Sequence, residues 1–133
     1  MNKLLHKSIT EKVLKAYYNV YNSLGYGFLE RVYQNAMYFE LLELGLNVEA
    51  QKQIKVFYKN RLVGEYFADL IVEEKVIVEL KSAQLLMSAH SSQLYNYLKS
   101  TEIEVGLLLN FGEEVEFERI ILTNDKKQNL KSV

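Results

Sequence analysis

Apolar residues recur at helical spacing near the start of the chain and at strand spacing through most of the rest. Ile9, Val13, Tyr17, Val20 and Leu24 fall on one helical face. Ser8-Ile9-Thr10-Glu11 reads as a capping box in which Ser8 and Glu11 satisfy each other's free amides, and Gly25 ends the helix. A second helix is predicted from Phe28 to Leu44, burying Leu29, Val32, Tyr33, Ala36, Met37, Leu41 and Leu44. Gly45 stops it, and Gly25-Tyr26-Gly27 is the hinge between the two. From Val48 the period shortens. Val48–Gln53, Ile54–Tyr58, Leu62–Val72 and Val76–Lys81 read as extended, with turns at Lys59-Asn60-Arg61 and Glu73-Glu74-Lys75. Leu70-Ile71-Val72 and Val76-Ile77-Val78 are apolar on both faces, which places them mid-sheet under helices on either side. A third helix over Leu86–Ser100 and two strands, Val105–Phe111 and Val115–Leu122 about Gly112-Glu113, complete the pattern. The predicted order is ααβββαββ, an α/β (α+β) fold with a mixed central β-sheet flanked by helices.

Length adds that this is a single domain over residues 1–124, with Asp125–Val133 as a polar tail; 133 residues of which 49% are hydrophobic suffice for one core. The absence of cysteine removes thiolate nucleophiles, Cys-ligated zinc and iron–sulfur clusters. Sixteen Lys and Arg against 17 Asp and Glu argue against coating nucleic acid by bulk charge, though not against a local basic groove. No apolar run reaches signal-peptide or bilayer-spanning length, so the expectation is a cytoplasmic protein with no membrane partner.

Two carboxylates stand where the pattern otherwise asks for apolar residues. Asp69 interrupts Phe67-Ala68-Asp69-Leu70-Ile71-Val72, and Glu79 interrupts Val76-Ile77-Val78-Glu79-Leu80. Period-2 alternation sends Glu79 and Lys81 to the same face. A three-residue turn at 73–75 puts Asp69 directly across from Glu79, a register that a one-residue slip would undo. Opposed side chains have Cβ atoms roughly 5 Å apart. Two carboxylates at that distance repel by about 3 kcal/mol at an effective dielectric of about 20, and burial adds a desolvation cost. One carboxyl holds a proton, or a second cation binds, or the register differs. A divalent cation is the simplest relief, because magnesium accepts a few carboxylate oxygens and keeps open positions for a phosphate. A structural Asp-Glu-Lys ion-pair network is the competing reading.

Gly27-Phe28-Leu29-Glu30-Arg31-Val32-Tyr33 fits GxxExxY, the run that names a family of small bacterial proteins. Gly64-Glu65-Tyr66-Phe67-Ala68-Asp69, Glu79-Leu80-Lys81 and Gln93-Leu94-Tyr95-Asn96-Tyr97 resemble, in that order, the motifs of the PD-(D/E)XK nuclease superfamily. The Gln-x-x-x-Tyr element is similar to its RecB-like branch. The resemblance covers residues 8–122 and implies a restriction-endonuclease-like core and a metal-dependent nuclease. Asp69 and Glu79 then match the metal-binding carboxylates and Lys81 the catalytic lysine. Glu30 matches an acidic residue that completes the metal site from an early helix, and the Leu80 carbonyl is a further ligand. Gln93 matches a residue that positions substrate or water. Gly27, Tyr33 and Tyr97 are the expected substrate contacts. The implied cofactor is Mg2+ or Mn2+ and the implied partner is nucleic acid, DNA first. Ala68 stands where the superfamily's name has proline, and the upstream histidine of RecB-type members has no counterpart.

The remaining chemistry-bearing residues form weaker patterns. His90 shares a helical face with Gln93 and Tyr97, while Ser88, Ser91 and Ser92 lack a paired histidine and acid. No phosphate loop or dinucleotide fingerprint occurs. Lys52, Lys55, Lys59 and Arg61 sit near a hairpin, as a phosphate-contacting strip or a solvated face. So small a domain offers little surface for gripping a duplex, which makes a homodimer a geometric expectation. Two other classes stay open: a nucleic-acid-binding module that keeps the fold without catalysis, and an assembly protein whose tyrosines form an interface.

Overall fold

The computed structural model describes residues 5–127. Eight elements follow the predicted order: α1 (Lys7–Leu24), α2 (Glu30–Glu43), β1 (Val48–Tyr58), β2 (Arg61–Val72), β3 (Val76–Lys81), α3 (Ser88–Lys99), β4 (Val105–Phe111) and β5 (Val115–Ile121). The strands form one sheet in sequence order. Neighbours are antiparallel except β3 and β4, which α3 joins as a parallel pair by crossing over the sheet.

Alternate positions of the central strands feed two cores. Val76, Val78 and Leu80 of β3 pack with Leu70, Val72 and Leu107 beneath α1 and α2, against Val13, Tyr17, Tyr33, Met37 and Leu41. Ile77, Ile71 and Leu108 face α3, against Leu94 and Leu98. Every residue of β4 is buried. Gly106 lets α3 sit close, since a Cβ there would lie 2.8 Å from Leu94 Cδ1. Among the described residues no helix is long and apolar enough to cross a membrane.

Several local expectations are corrected. The Ser8 capping box does not form. His6 is the N-cap, in the left-handed region at φ 54°, and no side chain caps the helix. Chain entry is fixed from a distance instead, by Arg119 Nη2 donating to the Leu5 carbonyl at 2.6 Å. Leu29 is the N-cap of α2 and 80% exposed, and Val32 is also exposed, because the helix turns Tyr33, Met37 and Leu41 inward. α3 begins at Ser88, where His90 Nδ1 accepts the Met87 N–H at 2.9 Å. The expected tail from Asp125 starts as a 3-10 turn, Asn124–Lys126, and Lys127 Nζ docks on the carbonyls of Thr101 and Ile103 at 2.7 Å each. The rest of that tail lies outside the described residues.

Candidate active site

β2 and β3 form a fork. Their pairing, Leu70 with Val78, Ile71 with Ile77 and Val72 with Val76, has the register that the 73–75 turn predicts. Beyond Leu70, β2 continues against β1 alone and β3 against β4. At the point of divergence the two acidic side chains span the gap. The Asp69 N–H donates to Glu79 Oε2 at 2.8 Å, and the Leu80 N–H donates to Asp69 Oδ2 at 2.8 Å. Each carboxylate thus serves the amide that the parting strands leave free. The N–H and C=O of one extended residue leave a strand on the same side, so the Leu80 carbonyl also faces the fork.

Charge is concentrated here with little water. Glu79 is 3% exposed, and its carboxyl is pushed up to about 8, first by burial and then by the charge of Asp69. Asp69, half-buried, is also raised, chiefly by burial, while the Leu80 amide and Lys81 pull it back. The three strand pairs keep the register that the turn predicts, and burial together with the charge of Asp69 shifts Glu79 toward its protonated form. Lys81 acts through space. Among the described residues the ion pairs within 4 Å are Lys7–Glu11 and Lys52–Glu49, and Lys81 Nζ donates instead to Gln93 Oε1 of α3 at 3.1 Å. Tyr97, one turn beyond Gln93, is 5% exposed. Its hydroxyl is raised to about 12 by burial and then by Glu79 and Asp69, which places it beside the pair.

From the other side α2 contributes two residues one turn apart, Glu30 and Gln34. Glu30 is exposed, and its charge raises both carboxyls of the fork. Gln34 is buried and accepts from Gln51 Nε2 at 2.5 Å, while the same Nε2 lies 3.4 Å from Asp69 Oδ1. Gln51 holds φ 53° inside a strand, a left-handed conformation costing about 1–3 kcal/mol for a residue with a side chain. The strand changes faces there. Ala68 and Ile54 pack on the α3 side, although alternation from Leu70 would put Ala68 under α2. Sequence reasoning missed both glutamines; a buried Gln on an apolar helix face was the one signal available.

Gly27 and Tyr33 have structural roles. Gly27 takes φ 109°, a backbone form open to glycine, in the α1–α2 turn. It also lines a crevice of about 180 Å³ with Ser82 and Gly112, just past Lys81. Tyr33 is fully buried, which corrects its expected contact with substrate. Its hydroxyl donates to the Gly25 carbonyl at 2.7 Å and accepts the Phe28 N–H at 3.2 Å, and its ring stacks on Phe111 at 4.1 Å. Tyr33 thereby fixes the turn that launches Glu30. Asn110, wholly buried, clasps Ala83 through both backbone groups at 2.9 Å and holds the segment that follows Lys81.

The donor set fits a hard dication: carboxylate oxygens and a backbone carbonyl converge on a buried fork where negative charge lacks a close cation. Among the described residues no three His, Asp or Glu side chains stand close enough together to hold an ion. Glu30 is thus near in charge and not yet in contact.

A five-stranded mixed sheet of this order, with an acidic pair and a lysine at the fork, defines a nuclease-type α/β core. The family model of the PD-(D/E)XK nuclease superfamily matches residues 7–120, and the chain belongs to that superfamily. The crystal structure of SSO0001 is similar in fold, with a TM-score of 0.58 and 17% identity over 77% of this chain. The chain spans 55% of that protein's length. No curated protein matches it significantly.

Proposed function

We propose that this protein is a Mg2+- or Mn2+-dependent nuclease that hydrolyses DNA phosphodiester bonds, of the GxxExxY type and the RecB-like branch, working in the cytoplasm. The observation that carries the reading is the crossed bonding at the fork, where Glu79 accepts the Asp69 amide and Asp69 accepts the Leu80 amide, with Lys81 within electrostatic reach. Asp69, Glu79, the Leu80 carbonyl and Glu30 are the groups that would hold the ion. When bound, the ion supplies Lewis acidity toward a phosphodiester oxygen and lowers the pKa of water beside it.

The chain's own residues do the rest. Asp69 and Glu79 are pre-set by backbone amides, so little ordering is left to a binding event. Lys81, held by Gln93, presents its ammonium on the face of Glu79, where it orients the attacking water and offsets charge on the phosphate in the transition state. Gln93 keeps that amine from collapsing onto a carboxylate. Tyr97 forms the dry wall behind the pair.

Hydrolysis of labelled DNA in the presence and absence of Mg2+ tests this, with Glu79→Ala and Lys81→Ala alongside. Metal-dependent cleavage abolished by both substitutions is the expected result. Cleavage that survives both overturns the site. DNA binding without turnover, and with no heat of magnesium binding, would instead identify a non-catalytic binding module.

A further inference from the structure

Past the fork, β1 and β2 leave the sheet as a two-stranded arm. Residues 52–58 and 61–68 pair only with each other, and at ~3.3 Å per residue the arm reaches ~20 Å beyond Asp69. An isolated ribbon is marginal in water and normally polar. This one exposes Tyr58 (62%), Val63 (61%), Phe67 (51%), Tyr66 and Leu62. One face is partly covered, since Ile54 is buried and Tyr66 leans on Tyr97 at 5.5 Å. The other carries the cross-strand pairs Gln53–Phe67 and Lys55–Glu65 and lies open.

The charge of the arm is opposite to that of the whole chain. Residues 53–67 contain Lys55, Lys59 and Arg61 against the single carboxylate Glu65, in a chain of net charge −1. Glu65 is already engaged by Gln53 Nε2 at 2.9 Å. Lys55, Lys59 and Arg61 are exposed and have no carboxylate within 4 Å among the described residues, whereas Lys52 is tied to Glu49. Lys59 Nζ lies 5.4 Å from the Tyr58 ring centroid, so cation and aromatic face sit side by side. Pairing two such arms across a twofold would set these cations against each other, which disfavours a second copy of this chain as the occupant. A polyanion suits them.

A duplex offers a ribbon phosphates and base edges, but its stacked bases hide their π-faces, so exposed aromatic rings gain little there. Unpaired bases offer π-faces, on which aromatic side chains stack while neighbouring cations follow the backbone. We infer that the 52–68 arm is a docking surface for single-stranded nucleic acid and feeds it into the fork, whose Asp69 lies two residues from Phe67 on the same strand. The feeding role rests on the proposed nuclease reading; the binding does not.

Fluorescence anisotropy with labelled dT20, in EDTA so that nothing turns over, is the test. The arm predicts tighter binding of dT20 than of a 20-base-pair duplex. Phe67→Ala and Tyr58→Ala should each weaken dT20 by ~5-fold or more, with Phe67→Tyr restoring it. Lys55→Ala and Lys59→Ala should each reduce the slope of log affinity against log salt by ~0.7. Melting by circular dichroism checks that each variant is folded. Equal dT20 binding by the ring variants overturns the inference. So does preferred duplex binding, or a wild-type dimer that Phe67→Ala dissociates. If the nuclease reading alone is wrong, dT20 binding persists without Mg2+-dependent cleavage. If the arm alone is wrong, cleavage persists undiminished in Phe67→Ala.

Discussion

Glu79→Gln isolates the ionisation of a buried carboxylate while keeping an oxygen to accept the Asp69 N–H. The Glu79 carboxyl stands at about 8 against an ordinary value of 4.5, and at about 1.36 kcal/mol per unit that shift sets a ceiling of about 5 kcal/mol on the cost of ionising it. Because the folded pKa is the raised one, the protein holds this proton more tightly folded than unfolded. The stability it contributes is complete below the unfolded value and is lost as pH climbs through about 8. Wild type and Glu79→Gln should therefore lie within about 1 kcal/mol of each other near pH 5. By pH 8.5 the variant should be the more stable by about 2 kcal/mol or more, some 8 °C for a domain of this size. Thermal unfolding followed by circular dichroism in EDTA from pH 5 to 9 measures it. Mg2+ at ten times its Kd should return about 1.4 kcal/mol to the wild type at high pH and much less to the variant. A difference that stays flat across this range would refute the claim that the fork strains an ionised Glu79.

Three further outcomes follow from the same geometry. Lys81→Ala should lower the rate of metal-dependent hydrolysis by about 10²–10³-fold, the usual loss for one charge-stabilising donor, while calorimetry still detects Mn2+. Tyr33→Phe leaves the ring stacked on Phe111 but unpairs the Gly25 carbonyl and the Phe28 amide, and should cost about 1–3 kcal/mol in urea unfolding. Gln51→Gly relieves a left-handed φ and removes the amide between Gln34 and Asp69, so denaturation should change by under about 1 kcal/mol while Mn2+ affinity falls severalfold.

What was legible in the sequence is what alternation and turn length control. The runs 70–72 and 76–78 are apolar on both faces, which marks them as central, and a three-residue turn fixes their register, so the strand pairing that ends beside Asp69 and Glu79 could be read in advance. Ser8 misled because a cap is worth only about 1 kcal/mol, less than the docking of Leu5 through Arg119. Leu29 and Val32 looked buried because an apolar residue at a helix start carries no record of which way the helix rotates. Gln34 and Gln51 were invisible for a different reason. They meet across 17 residues through a strand that changes faces, and no local pattern encodes either their contact or the φ of Gln51. Tyr33 was placed with the substrate-facing residues by its motif, whereas its hydroxyl closes the α1–α2 turn.

Anomalous scattering from crystals soaked in Mn2+ asks the central question most directly. The account predicts one ion in the fork, within about 2.2 Å of a carboxylate oxygen from each of Asp69 and Glu79, with Glu30 drawn toward it from α2. An ion bound elsewhere, or both carboxylates still occupied with the Leu80 and Asp69 amides and no ion between them, would contradict it.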